Sequence, residues 1–194
     1  MNMRRFGLTL ASLFLAVSTA NAALTFSNVM VHGSLSSGAS FTPGTDDIDF
    51  QFPNAFVGDG TDPERRLGNI IITFEATSNM GAIDRDLVAI LGALDVAGSG
   101  TIYFNEVVED LVVPGVIAAY NRVLDDNTDL PLTDTILFSR PTTRFKVKKT
   151  LVLTAVDTPA IDLANVSLVE QRFVPEPAAL ALLMLGLPLM RRNR

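Results

Sequence analysis

The chain has 194 residues, with 21 Asp and Glu against 15 Lys and Arg, for a formal net charge of −6. It contains no cysteine and no tryptophan, which excludes thiol catalysis, thiolate metal sites, iron–sulfur clusters and disulfide frameworks. Its acidity makes nucleic acid and anionic lipid poor partners, and two Tyr with no Trp leave few rings for a typical sugar-stacking face.

Residues 1–22 open with Arg4 and Arg5, continue apolar from Phe6 to Val17, and close on Ala20-Asn21-Ala22 before Ala23. This is the layout of a secretory signal peptide, with Ala20 and Ala22 forming an A-x-A cleavage site. The apolar stretch is too short for an ordinary membrane span, so the mature chain is expected to begin at Ala23. Residues 23–173 hold ten basic and twenty acidic side chains. The body is therefore more acidic than the whole, and it is one domain's worth of chain.

Residues 24–31 read as a first strand. Leu24 and Phe26 share one phase and Val29 and Val31 the other, which a bulge near Ser27 and Asn28 reconciles. Residues 33–40 are Ser/Gly-rich and read as a loop. Ile48, Phe50 and Phe52 alternate with Asp49 and Gln51, a half-buried strand. Residues 53–68 collect Pro, Gly, Asp and Asn and predict a long loop. Ile70, Ile72, Phe74 and Ala76 then form an inward face opposite Thr73, Glu75 and Thr77, the strongest strand pattern in the chain.

Residues 79–84 make a turn. Residues 87–94 are continuously apolar, which fits a strand buried on both faces or a short helix. Residues 95–100 turn again. Ile102, Phe104 and Val108 share a face, and Glu106 falls on the same phase. Val116, Tyr120 and Val123 follow helical spacing, so residues 116–124 are predicted as the one helix. After a polar loop at 125–131, residues 135–139 read as a short strand. Residues 144–156 read as a long one, with Phe145, Val147, Leu151 and Leu153 inward and Arg144, Lys146, Lys148 and Thr150 outward. Residues 167–173 form the last strand. Eight or nine short strands with regular turns predict an all-β domain, an antiparallel β-sandwich or jelly roll. The Phe residues of the body are expected in its core.

Candidate chemistry is sparse. His32 is the single histidine, and no Gly-x-Ser-x-Gly elbow accompanies it, so a catalytic triad is not expected. Asp125, Asn127 and Asp129 match the first ligand positions of a calcium loop. Leu130 then replaces the turn glycine, and Ile136 stands where the closing glutamate belongs. Asp46, Asp47 and Asp49, and Asp59, Asp62 and Glu64, are further oxygen donors, but solvated turns account for such Asp-rich segments. No cofactor is expected, with a structural calcium ion in one of these loops as the alternative. Carboxylate pairs suited to a glycosidase arise by chance among so many acids and single out no site. Arg144, Lys146, Lys148 and Lys149 form a basic stripe, read as a charged sheet face or protected edge rather than a docking site for acidic polysaccharide.

The tail is the most specific segment. Pro175 and Pro177 bar helix and central strand, so packed structure is expected to stop near Phe173. The thirteen residues 178–190 are uncharged and rich in Leu and Ala; as a helix they would reach about 20 Å into a hydrocarbon layer of about 30 Å. Arg191, Arg192 and Arg194 follow, suited to a cytoplasmic interface.

Val-Pro-Glu-Pro, an apolar run and Arg-Arg-x-Arg at the extreme end resemble the PEP-CTERM sorting signal of Gram-negative and planctomycete-type bacteria. The resemblance covers residues 174–194 only, and the apolar run is short for that pattern. It implies an exosortase as partner, transient residence in the inner membrane through a short transmembrane segment, processing near Pro175, Glu176 and Pro177, and delivery to the cell surface or extracellular matrix. It also implies association with exopolysaccharide. The chain is therefore expected to be an exported, non-enzymatic envelope protein. Two alternatives carry their own signatures. A carbohydrate-binding module would show exposed aromatics in a groove. A secreted hydrolase would show a concave pocket with convergent carboxylates of shifted pKa.

Overall fold

A computed structural model describes residues 23–59, 65–79, 81–94, 99–125, 131–156 and 162–175. Among the described residues the regular structure is all strand: β1 (Leu24–His32), β2 (Ser40–Pro43), β3 (Asp47–Gln51), β4 (Phe56–Gly58), β5 (Leu67–Ser78), β6 (Ile83–Leu94), β7 (Thr101–Asp110), β8 (Gly115–Leu124), β9 (Leu132–Thr142), β10 (Arg144–Thr154) and β11 (Leu163–Pro175). One sheet, A, runs β1-β5-β10-β7-β8; the other, B, runs β2-β3-β11-β6-β9, with β4 also pairing with β11. All pairings are antiparallel.

Setting aside β1, β2 and β4, the sheets are β5-β10-β7-β8 and β3-β11-β6-β9. From β5 to β11 the chain changes sheet at every connection except β7–β8. This is the wiring of a jelly roll, and it confirms the all-β, antiparallel expectation. The core lies between the sheets. Ile70, Ile72, Phe74 and Ala76 of β5 and Phe145, Val147, Leu151 and Leu153 of β10 all point into it, as the alternation predicts. Phe173 of sheet B packs on Phe145 and Phe74 of sheet A, with ring centroids 4.9 and 6.2 Å apart. Aromatic contacts of this kind join the two layers. The bulge expected in β1 is present: the register with β5 shifts between Ser27 and Met30, and Asn28 takes a positive φ of 53°.

Four features differ from the sequence reading. Residues 116–124 are not helix but lie in β8, paired with β7 from Ile102↔Leu124 to Asp110↔Gly115. A register shift between Val108 and Glu109 turns both Ile117 and Ala118 inward, which breaks simple alternation and mimics helical spacing. The stretch read as one long loop contains β4. Residues 87–94 form part of β6, which is covered on one face only: Val88 and Ile90 are buried while Leu87 is 39% exposed.

The fourth difference concerns the basic stripe. Arg144, Lys146 and Lys148 do face solvent, and Lys146 stands in register between Glu75 and Glu109. Lys149, however, shares the phase of Val147 and Leu151 and is fully buried. It pairs with Glu106, its cross-strand partner on β7, also fully buried. From sheet B, Gln171 Nε2 donates to Glu106 Oε1 at 2.8 Å and to Asp86 Oδ2 at 2.6 Å. The interior therefore holds a polar tetrad spanning both sheets.

Candidate functional site

Each sheet turns a trough to solvent. On sheet A, β7 and β8 pair so that Tyr103 faces Val123 and Asn105 faces Asn121, while β10 places Val152 and Thr150 on the other side of the same rows. The result is an apolar row, Val152–Tyr103–Val123, beside a polar row, Thr150–Asn105–Asn121. The trough encloses about 340 Å³, and Phe104 and Arg122 complete its lining. Tyr103 is 48% exposed. Asn105 Nδ2 donates to Asn121 Oδ1 at 2.6 Å, which fixes both amides. The lining contains no carboxylate.

Sheet B carries the opposite chemistry. Its trough, about 460 Å³, is lined by Asp46, Asp47 and Asp49 from β3 and the turn before it, by Glu170 and Arg172 of β11, by Leu87 and Ala89 of β6, and by Thr133 and Asp134 of β9. Register sets the geometry: Asp49 lies opposite Glu170, and Asp47 opposite Arg172. Like charges directly opposed across a ladder oppose folding. Arg172, the one cation in the lining, donates from Nε to Asp46 Oδ2 at 2.8 Å. Burial, and then the charge of Asp47, push the Asp49 carboxyl above its ordinary range. At the rim, Tyr120 Oη donates to Asp134 Oδ2. Burial and this bond push the Tyr120 hydroxyl up to about 12.

The residues singled out in the sequence are placed as follows. Asp46, Asp47 and Asp49 belong to the acidic trough. Asp59 pairs with Arg66 at 3.6 Å and accepts from the Asp162 amide at 3.1 Å, a contact between two loops. Asp125 follows β8. Asn127 and Asp129 lie outside the described residues, as do Asp62 and Glu64. His32 ends β1 on the open edge of sheet A, exposed, opposite Ile71. Pro175 ends β11, paired with Ile83. Ala20, Ala22, Glu176, Pro177, Arg191, Arg192 and Arg194 lie outside the described residues. Among the described residues, no three His, Asp or Glu side chains stand together as a metal site, and no helix is long and apolar enough to cross a membrane.

Sequence reasoning missed the Tyr103 trough. Tyr103 was visible as one of two tyrosines on an outward phase of β7. Its neighbours Asn121 and Val123 were hidden by reading β8 as a helix.

No family model matches the chain, and no curated protein matches it. Among solved structures, it is similar to a carbohydrate-binding module of the β-sandwich superfamily, described for promiscuous specificity, at 7% identity and a TM-score of 0.31, covering 81% of this chain and 58% of that one. It is similar to the arabinose-bound α-L-arabinofuranosidase MgGH51 at 11% identity and a TM-score of 0.27, covering 80% and 24%. A family 11 carbohydrate-binding module from Clostridium thermocellum, in complex with a β-1,3-1,4-mixed-linked tetrasaccharide, gives 10% identity and a TM-score of 0.25, covering 84% and 94%. The chain thus spans less than two thirds of the first two structures. Likeness at this level speaks to neither ligand nor chemistry.

Proposed function

We propose that the chain is an exported, non-catalytic module that contacts a neutral polysaccharide at the cell surface. The observation that carries this reading is the half-exposed Tyr103 in a trough beside Asn105, Asn121 and Thr150. A pyranose has a face of C–H groups and an edge of hydroxyls. The face suits the Tyr103 ring flanked by Val123 and Val152; the hydroxyls suit two amides and a threonine. The lining holds no carboxylate and one cation, Arg122, so stacking and hydrogen bonds carry the contact, with a single guanidinium beside them. Residues 1–22 supply export. Residues 174–194 supply exosortase sorting, with Pro175, Glu176 and Pro177 as the recognised motif and Arg191, Arg192 and Arg194 holding the tail on the cytoplasmic side.

Titration calorimetry of the full chain with a soluble neutral β-glucan tests the binding. Saturable heat that persists at high salt is expected; failure to bind any neutral polysaccharide defeats the proposal. Surface fractions from hosts with and without the exosortase test the sorting, and an intact tail in both would end that part of it.

A second reading, secreted hydrolase, is favoured by the sheet B trough, where opposed carboxylates converge and Asp49 is shifted upward. Release of new reducing ends from the bound polysaccharide, lost in Asp49→Asn, would replace the non-catalytic reading.

A further inference from the structure

The geometry of the interior points to a covalent cross-link: we infer that Lys149 and Glu106 condense to an amide, joining β10 to β7 inside the sandwich. This inference is independent of the ligand in either trough. Lys149, Glu106, Asp86 and Gln171 are all fully buried. The Lys149 ammonium has three donors, and it meets one oxygen, Glu106 Oε2, and the face of Phe104, 5.3 Å from Nζ to the ring centroid. On the opposite side Asp86 Oδ1 and Gln171 Oε1 have no hydrogen-bond partner. An ionic tetrad thus leaves donors and acceptors mismatched in a site closed to water, the costliest place for such mismatch.

Condensation removes both charges of the pair and the surplus ammonium donors. A proton passes from Lys149 Nζ to Glu106 Oε2 within the pair, giving amine and acid without moving net charge. The Nζ lone pair attacks Glu106 Cδ. Negative charge develops on Oε1, which already accepts from Gln171 Nε2. Asp86 shares the same Gln171 amide through Oδ2; burial, and then the charge of Glu106, hold its carboxyl well above the usual range, which favours the acid form that can donate to Glu106 as charge builds. The Cδ–Oε2 bond breaks as a second proton leaves Nζ, and Oε2 departs as water. Ammonium plus carboxylate become amide plus water; no oxidant or cofactor is needed. Fixed cross-strand register supplies the effective concentration. Loss of two buried charges supplies the driving force, and a dry core resists the reverse hydrolysis.

Peptide mapping of the folded full-length chain tests the proposal. After denaturation and trypsin, a branched peptide containing both Glu106 and Lys149 is expected, lighter than its two parts by one water and uncut after Lys149. Asp86→Asn is expected to leave the two peptides separate in a chain that still folds by circular dichroism. Separate, unmodified Glu106 and Lys149 peptides from the wild type overturn the inference. A single peptide spanning residues 149–172, lighter by one ammonia and carrying no Glu106 peptide, also overturns it, because that would place the bond on Gln171.

Discussion

The two outer faces of the sandwich are built by the same alternation and carry opposite chemistry. Around Tyr103, sheet A pairs amides with amides and apolar groups with apolar groups. The sheet B trough sets Asp49 against Glu170 and has one guanidinium among its carboxylates. The first face costs the fold little. The second works against it, because like charges facing each other across a ladder reduce stability. The sheet B trough is thus the costlier of the two surfaces to fold.

Substitutions separate the faces. The most direct test is of binding: Tyr103→Ala should weaken neutral-glucan affinity at least tenfold, about 1.4 kcal/mol, in titration calorimetry, with the thermal midpoint unchanged. The same substitution without effect on affinity would move the glycan contact off sheet A.

Acid should pull the two sheets in opposite directions. Asp110, at the end of β7, accepts from Arg140 Nε at 2.9 Å, from Thr142 Oγ1 at 2.8 Å and from the amides of Val112 and Val113. Although burial opposes it, this set of bonds lowers the carboxyl to about 2. Its contribution is complete above the unfolded value near 3.9 and is lost as pH falls toward 2. Asp110→Asn should flatten that acid limb in urea unfolding and cost about 1.5–3 kcal/mol at neutral pH. Asp49 has the reverse sign: its folded pKa is raised, so its penalty is present at neutral pH and disappears on acidification. Asp49→Asn should therefore stabilise by up to about 1 kcal/mol at neutral pH, with the gain vanishing near pH 3; a loss of stability would contradict the like-charge account. The smallest effect belongs to the exposed pair Arg144–Glu75, 2.9 Å apart with Arg144 54% exposed. Arg144→Ala should leave the urea midpoint nearly unchanged, and high salt should erase what difference remains.

Much of this architecture was legible in the residues. Strict alternation in β5 and β10 set the inward faces, and the phase change at Ser27 and Asn28 located a bulge before any pairing was known. What was not legible depended on pairing. The Val108/Glu109 shift disguised β8, and β4 is too short to show a period. Lys149 sat on an inward phase, but its charge argued for the surface until Glu106, also inward, was seen to be its direct neighbour across the ladder. Both troughs are assembled from strands far apart in the chain, so their residue sets follow from register alone. The chain ends, which carry the most specific sequence pattern, fall outside the described residues.

One feature of β11 bears on how the molecule would respond to a pull. The strand that runs into the tail is not at a border of its sheet; it has β6 on one flank and β3 and β4 on the other. If the cell holds the protein by its carboxyl end, tension enters along an interior strand. Its rungs must then slide past their partners together rather than open one by one like a zipper, and a tether so placed would resist traction far better than one leaving from β2 or β9.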